Sequence, residues 1–148
     1  MPIAIVTEHD LPELLPLMRA YCDFYEVQPT DGDLLALAEA MISGPEHKGT
    51  QMIARNADGS PTGFATVYWS WSTLRAGQIG VMNDLFVDPA ARGAGIGRAL
   101  IEACAERCRE RGIRTLVWTT APDNRRARSL YDAAGANGEA FIEYELEL

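Results

Sequence analysis

The run Val87-Asp88-Pro89-Ala90-Ala91-Arg92-Gly93-Ala94-Gly95-Ile96-Gly97-Arg98-Ala99-Leu100 decides the fold. It sets a glycine-rich turn between an apolar strand, Gly77 to Val87, and a strongly helical segment from Gly95 to about Arg111. Glycines let the backbone come close to a ligand and take dihedrals that other residues avoid. The unpaired amides that open a helix, with the helix dipole behind them, suit an anion such as a pyrophosphate. Arg92 and Arg98 add positive charge nearby. The spacing of Gly93, Gly95 and Gly97 is not the dinucleotide fingerprint, which needs a glycine three residues after the second. No Gly-Lys-Ser/Thr follows, so the turn is not a P-loop either.

Working outward, Ile3 to Thr7 reads as a short strand, and Asp10 as the cap of a helix with Pro12 in its first turn. Leu11, Leu14, Leu15, Met18, Cys22 and Tyr25 recur at helical spacing to near Phe24. Pro29-Thr30-Asp31-Gly32 breaks that helix, and a second carries Leu34, Leu35, Leu37, Ala38, Met41 and Ile42 to a stop at Gly44-Pro45. Strand periodicity then covers Thr50 to Arg55 and Gly63 to Trp71, joined by a turn around Asp58-Gly59. After the long helix closes at Gly112, Ile113 to Thr119 reads as strand, Asn124 to Ala134 as helix and Ala140 to Leu146 as a last strand. A meander passing into a strand–helix–strand unit predicts a mixed α/β sheet with helices on both faces. No linker or repeat divides the chain, so residues 1–148 read as a single domain.

Composition narrows the function. The chain is 47% hydrophobic and 23% charged, as in globular proteins. No apolar run approaches the roughly 20 residues of a membrane span, and the N-terminus lacks a signal peptide's features. A cytoplasmic protein without a membrane partner is expected. With 21 acidic and 13 basic residues the net charge is −8, which disfavours nucleic acid and suits a cationic substrate as well as plain solubility. Cys22, Cys104 and Cys108 have no framework spacing and read as packing residues. His9 and His47 sit in unrelated segments, so no metal site is expected.

Three motifs in order resemble the GNAT superfamily of N-acetyltransferases. Arg92-Gly93-Ala94-Gly95-Ile96-Gly97 resembles its coenzyme A loop, and Asn83-Asp84-Leu85-Phe86-Val87-Asp88-Pro89 the strand before it. Asn124-Arg125-Arg126-Ala127-Arg128-Ser129-Leu130-Tyr131 with Gly135 is similar to its late Asn-x-x-Ala-x-x-Leu-Tyr segment. The resemblance implies a mostly antiparallel sheet with a splay between the strands ending at Val87 and Thr119. It implies acetyl-CoA as cosubstrate, its pyrophosphate on the amides of Gly93, Ala94, Gly95, Ile96, Gly97 and Arg98. The backbone of Leu85, Phe86 and Val87 would pair with the pantetheine arm, and Asn124 would hydrogen-bond that arm.

Acetyl transfer from a thioester needs a neutral amine, a stabilised oxyanion and a proton for the departing thiolate. The resemblance gives the proton to Tyr131, a phenol protonated at neutral pH; packing on the sheet is its other reading. The Val87 amide is the natural oxyanion donor. In the diamine acetyltransferase-like branch, which this chain is similar to, a glutamate precedes the aspartate of the strand. Here Asn83 stands there and takes no proton, while strand alternation points Asp84 to the opposite face. The base is left open between Asp84, Glu26 and a water chain ordered by Asn83. Tyr25 and Glu26 fall where that branch contacts its amine, and Trp69 with Trp71 would wall a cation or simply pack. The expected partner is a small-molecule amine, with a protein or peptide acceptor and a non-catalytic acyl-CoA sensor as alternatives. The family often dimerises, and Gly63 to Trp71 is the expected homodimer surface.

Overall fold

The computed structural model describes all residues except Met1, Pro45 and His47. The chain forms two compact units, residues 1–118 and residues 119–148. In the first, β1 (Ile3–Ile5), α1 (Leu11–Phe24), α2 (Asp31–Ser43), β2 (Gly49–Arg55), β3 (Pro61–Ser72), β4 (Gly77–Val87), α3 (Ile96–Glu110) and β5 (Leu116–Val117) follow in order. The strands make one sheet in the order β1-β2-β3-β4-β5. The first four are antiparallel, and β5 runs parallel to β4. The expected mixed sheet is thus present.

The apolar periodicity works as read. Leu14, Leu17, Met18 and Cys22 of α1 join Leu34 and Ala38 of α2 over Ile53, Phe64 and Phe86 on one face of the sheet. On the other face α3 lies so close that a Cβ on Gly80 would fall 2.4 Å from the Cys108 Sγ. That approach, rather than any special dihedral, is why position 80 carries glycine. The expected helix stop at Gly44 holds, its amide bonding the Ala40 carbonyl, while Pro45 and His47 lie outside the described residues. Asp10 stands at the N-cap of α1 without capping it. Its carboxylate accepts instead from the Thr7 amide (2.7 Å), the Thr7 hydroxyl (2.8 Å) and Arg55 (2.6 Å), tying the start of α1 to β2.

Helix ends reveal one departure from the usual chemistry. Past α3, Gly112 (φ 73°) takes the left-handed position, and the Ile113 amide reaches back to the Cys108 carbonyl at 2.9 Å. Past α1 the same closure occurs, with Val27 bonding Cys22 at 3.1 Å, but Glu26 holds the left-handed position (φ 57°). A side chain there costs roughly 1 kcal/mol relative to glycine.

Three expectations are corrected in physical terms. The apolar segment Gly63 to Trp71 is not a free dimer surface, because β3 lies between β2 and β4 and is buried on both faces over most of its length. Only its end emerges, with Trp71 76% exposed. The strand expected over Ala140 to Leu146 is absent from the second unit, whose described residues hold one helix, α4 (Arg125–Ala133). Alternation alone makes no strand without a neighbour to take up its backbone groups, and Phe141 is left 84% exposed. The strand expected over Ile113 to Thr119 likewise shortens to Leu116–Val117.

Gly80→Ala should destabilise the protein by about 1–3 kcal/mol, the usual range for overpacking, as read by urea unfolding. Adding Cys108→Ala should recover part of the loss, because the clash is with that sulfur.

Candidate active site

Asn83 is the residue around which the site is built. Thr66 pairs with Asp84 and Val67 with Met82, so Asn83 is an extra residue of β4 with no opposite number on β3. A bulge changes the phase of every residue after it. Before it, the Gly80 amide points across to β5, bonding the Thr115 carbonyl at 2.9 Å. After it, the Asp88 amide bonds Thr62 of β3 at 2.8 Å. Alternation of paired and unpaired positions in an antiparallel ladder then turns the Phe86 and Asp84 backbone toward β3, and the Leu85 and Val87 backbone away from it. The β4–β5 pairing stops at Val81 and Val117. Beyond that point the Leu85 amide and carbonyl and the Val87 amide face away from β3, while the Val87 carbonyl is taken by the Arg92 side chain. Of the three residues expected to line a pantetheine arm, these two have their backbone turned away from β3. The Phe86 backbone faces β3, and its side chain packs in the core.

The bulge also corrects the expectation that Asn83 and Asp84 part company on opposite faces. The Asn83 Nδ2 donates to the Asp84 Oδ1 at 3.1 Å. Asp84 sits under α1, on the face shared with Thr66. Burial pushes its carboxyl above the usual range, while hydrogen bonds with Thr66, Tyr21 and Asn83 partly offset this by favouring the charged form. Tyr21 of α1 stands over it, with a long bond of 3.4 Å to the Asn83 carbonyl. Burial, then the Asp84 charge, drives the Tyr21 phenol far above its ordinary value. The Tyr68 phenol rises for the same two reasons. A ladder of rings leads outward from this point: Tyr21 lies 5.8 Å from Phe64 and 5.0 Å from Tyr25, and Tyr25 lies 5.1 Å from Phe24. Tyr25 is 56% exposed, so the ladder runs from the core to solvent beside a carboxylate.

At the end of β4 the chain makes the glycine-rich turn. Gly93 (φ 88°) and Gly95 (φ 80°) both take left-handed backbone, and Gly95 is the N-cap of α3. The first intrahelical bond runs from Ala99 to Gly95 at 3.0 Å, so the amides of Ile96, Gly97 and Arg98 have no acceptor within the helix. Arg98 is exposed beside them. Arg92 is tied back, its Nε donating to the Val87 carbonyl at 3.0 Å. An open strand edge leading into unpaired helix amides fits an extended ligand ending in a diphosphate, the outline of coenzyme A.

The remaining expected site residues have the following local surroundings. Trp69 does wall a cation, but the protein's own: the Arg111 guanidinium lies 4.7 Å from its ring. Tyr68 shares the face of Thr66 and Asp84, and Trp69, the next residue of β3, points to the opposite face, so it is not part of their cluster. Glu26 is exposed at the left-handed end of α1. Asn124 uses its Oδ1 to cap α4, accepting from the Ala127 amide at 3.2 Å, and Tyr131 lies on that helix. The residue that sequence reasoning missed is Tyr21. Its signal was the four-residue spacing to Tyr25, which stacks the two on one helix face.

The cysteines fit packing roles. All three are buried free thiols, and burial pushes Cys104 up to about 12, which suppresses the nucleophilic thiolate. Among the described residues no helix is long and apolar enough to cross a membrane.

Comparison with known proteins shows the family. The profile of the Acetyltransferase (GNAT) family matches residues 14–136. An uncharacterized N-acetyltransferase of Bacillus subtilis, YhfO, is 33% identical over 142 residues, covering 94% of this chain and 92% of the relative. A thialysine N-ε-acetyltransferase of Caenorhabditis elegans is 28% identical, over 88% of this chain and 79% of its own. The fold superposes on an aminoglycoside N-acetyltransferase, AAC(6')-Iy, solved with CoA, at a TM-score of 0.82 and 23% identity, covering 99% of this chain and 95% of that one. The chain therefore belongs to the GNAT family and is an N-acetyltransferase.

Proposed function

We propose that this enzyme transfers an acetyl group from acetyl-CoA to the primary amine of a small cationic molecule by direct attack, with Asp84 as the base. The observation that carries this reading is the Asp84 carboxyl, held above its usual range by burial and borne on β4 one residue before Leu85. A base tuned upward in this way is better matched to an amine near neutral pH than an exposed carboxylate is. Bound acetyl-CoA would supply the activated acyl group. Leu85 and Val87 hold the arm along the strand, and the Val87 amide serves as donor to the acyl oxygen. The amides of Gly93 to Arg98 hold the diphosphate. Asp84 takes the proton from the incoming ammonium, directly or through a water at Asn83. Tyr131 donates the proton to the departing sulfur and Asn124 steadies the arm; both roles rest on the motif of their segment alone.

Substrate class follows from what surrounds the carboxylate. Tyr21, Tyr25 and Phe24 offer aromatic faces, and the net charge of −8 favours approach of a cation. The thialysine N-ε-acetyltransferase among the relatives acts, by its name, on the ε-amine of thialysine. Small diamines and diamino acids are therefore the proposed acceptors. A protein or peptide acceptor is the second reading, since Phe24, Tyr25 and Val27 are exposed at the end of α1.

CoA release from acetyl-CoA across diamines, diamino acids, aminoglycosides and a lysine peptide tests the assignment. Turnover is expected with the first two classes, and turnover on the peptide alone would contradict it. Asp84→Asn should lower kcat/KM by roughly 10²–10⁴-fold while acetyl-CoA still binds.

The same substitution should raise stability. A carboxyl whose folded-state pKa is raised favours the native state only while protonated, so wild-type stability falls as pH rises from the unfolded value of 3.8 through the folded one. Asp84→Asn should therefore be the more stable protein at pH 8. The gap should close toward pH 3.5, where Asp84 is largely protonated in both states. A constant gap across that range, read by urea unfolding, would remove the tuned carboxyl from the account.

A further inference from the structure

Three polar residues stand in one row across the sheet. Gln51 of β2 pairs with Thr66 of β3, and Thr66 pairs with Asp84 of β4. Directly opposed residues in a ladder project to the same face with neighbouring side chains. The Gln51 Nε2 donates to the Thr66 Oγ1 at 3.1 Å, and Thr66 hydrogen-bonds Asp84. Gln51 is 1% exposed and Thr66 0%, within a face otherwise filled by Ile53, Phe64 and Phe86. The Gln51 Oε1 has no hydrogen-bond partner among the described residues. A buried, half-satisfied amide loses its hydration without full replacement, so packing alone would favour an apolar residue at this position.

The direction of the bonds gives the row its purpose. A hydroxyl carries one hydrogen. Because the Thr66 oxygen accepts from Gln51, that hydrogen is left to point at Asp84. With the amide reversed, Thr66 would donate to the Gln51 oxygen and Asp84 would lose a donor. We propose that Gln51 and Thr66 are positioning residues, a buried donor chain from β2 through β3 that orients and tunes the Asp84 carboxylate for its work as base. This rests on the reading of Asp84 as the base. The other titratable groups that feel its charge are Tyr21 and Cys22 of α1 and Tyr68 of β3. The causes of the Asp84 shift include no cation. The donors alone therefore oppose the effect of burial.

The test is a carbon-13 NMR titration of the Asp84 carboxyl in the intact protein, which needs no turnover. Thr66→Val should move its midpoint up by about one pH unit, the worth of a hydrogen bond to a charged group. Thr66→Ser, which keeps the hydroxyl, should restore it. Gln51→Met should move it up by a few tenths of a unit, the size expected for polarisation along a chain of bonds, and should add nothing in the Thr66→Val background. An unchanged midpoint in Thr66→Val, or an equal Gln51→Met shift in both backgrounds, would overturn the proposal. The role of Asp84 is judged separately, by whether the acid limb of kcat/KM follows these midpoints. If the midpoints move as expected and the limb stays, the relay stands and the base assignment falls. Unfolding midpoints by urea identify any variant too unstable to count, and the Ser variant keeps the test open if the Val variant is one.

Discussion

A single unpaired residue in β4 sets the phase on which the site depends. Without Asn83 as a bulge, the backbone amides that face β3 before it would keep facing β3 after it, and those of Leu85 and Val87 would not reach the open edge. Asp84 would not lie in the row of Thr66 and Gln51 beneath Tyr21. Backbone phase, side-chain row and the hydrogen bond between Asn83 and Asp84 all follow from the register shift between Thr66 and Val67. The parallel strand β5 completes the arrangement by ending early, so that the re-phased part of β4 has one neighbour rather than two.

Most of the architecture was legible in the sequence because its signals are local. The periodicities of α1, α2 and α3 and the alternation of β2 to β4 each state their own element, and the three motifs state the family. The bulge was not legible. Nothing in Met82-Asn83-Asp84-Leu85 marks an extra residue, and strict alternation sent Asp84 to the wrong side of its neighbour. Trp69 misled for a related reason: an aromatic in a strand announces a face but not which face, and only the packing of α3 shows that its cation is Arg111. The segment Ala140 to Leu146 carries a strand pattern and forms none, since alternation describes a willingness to pair and not a partner. The candidate site was legible in its backbone part, the glycine turn and Leu85 and Val87. It was illegible in Tyr21, Thr66 and Gln51, whose importance comes from register.

Local conflicts gather around this region. Glu26 takes a backbone position that α3 and α4 give to Gly112 and Gly135. Gln51 leaves a carbonyl oxygen unpartnered in the core, and burial opposes the charge of Asp84. Each lowers stability slightly, and Gln51 and Asp84 belong to one hydrogen-bonded row. A fold tuned for stability alone would replace them; a fold that must hold one carboxyl ready to take a proton has reason to keep them.

The most direct measurement of this account is amide hydrogen exchange, resolved by residue, along β4 with and without saturating acetyl-CoA. The Phe86 amide should exchange slowly in both states because it already bonds β3, while the Leu85 and Val87 amides should exchange faster in the free protein and slow when acetyl-CoA is added. Protection appearing at Phe86 instead, with Leu85 and Val87 unchanged, would contradict the phase that the bulge at Asn83 imposes and with it the site built on that phase.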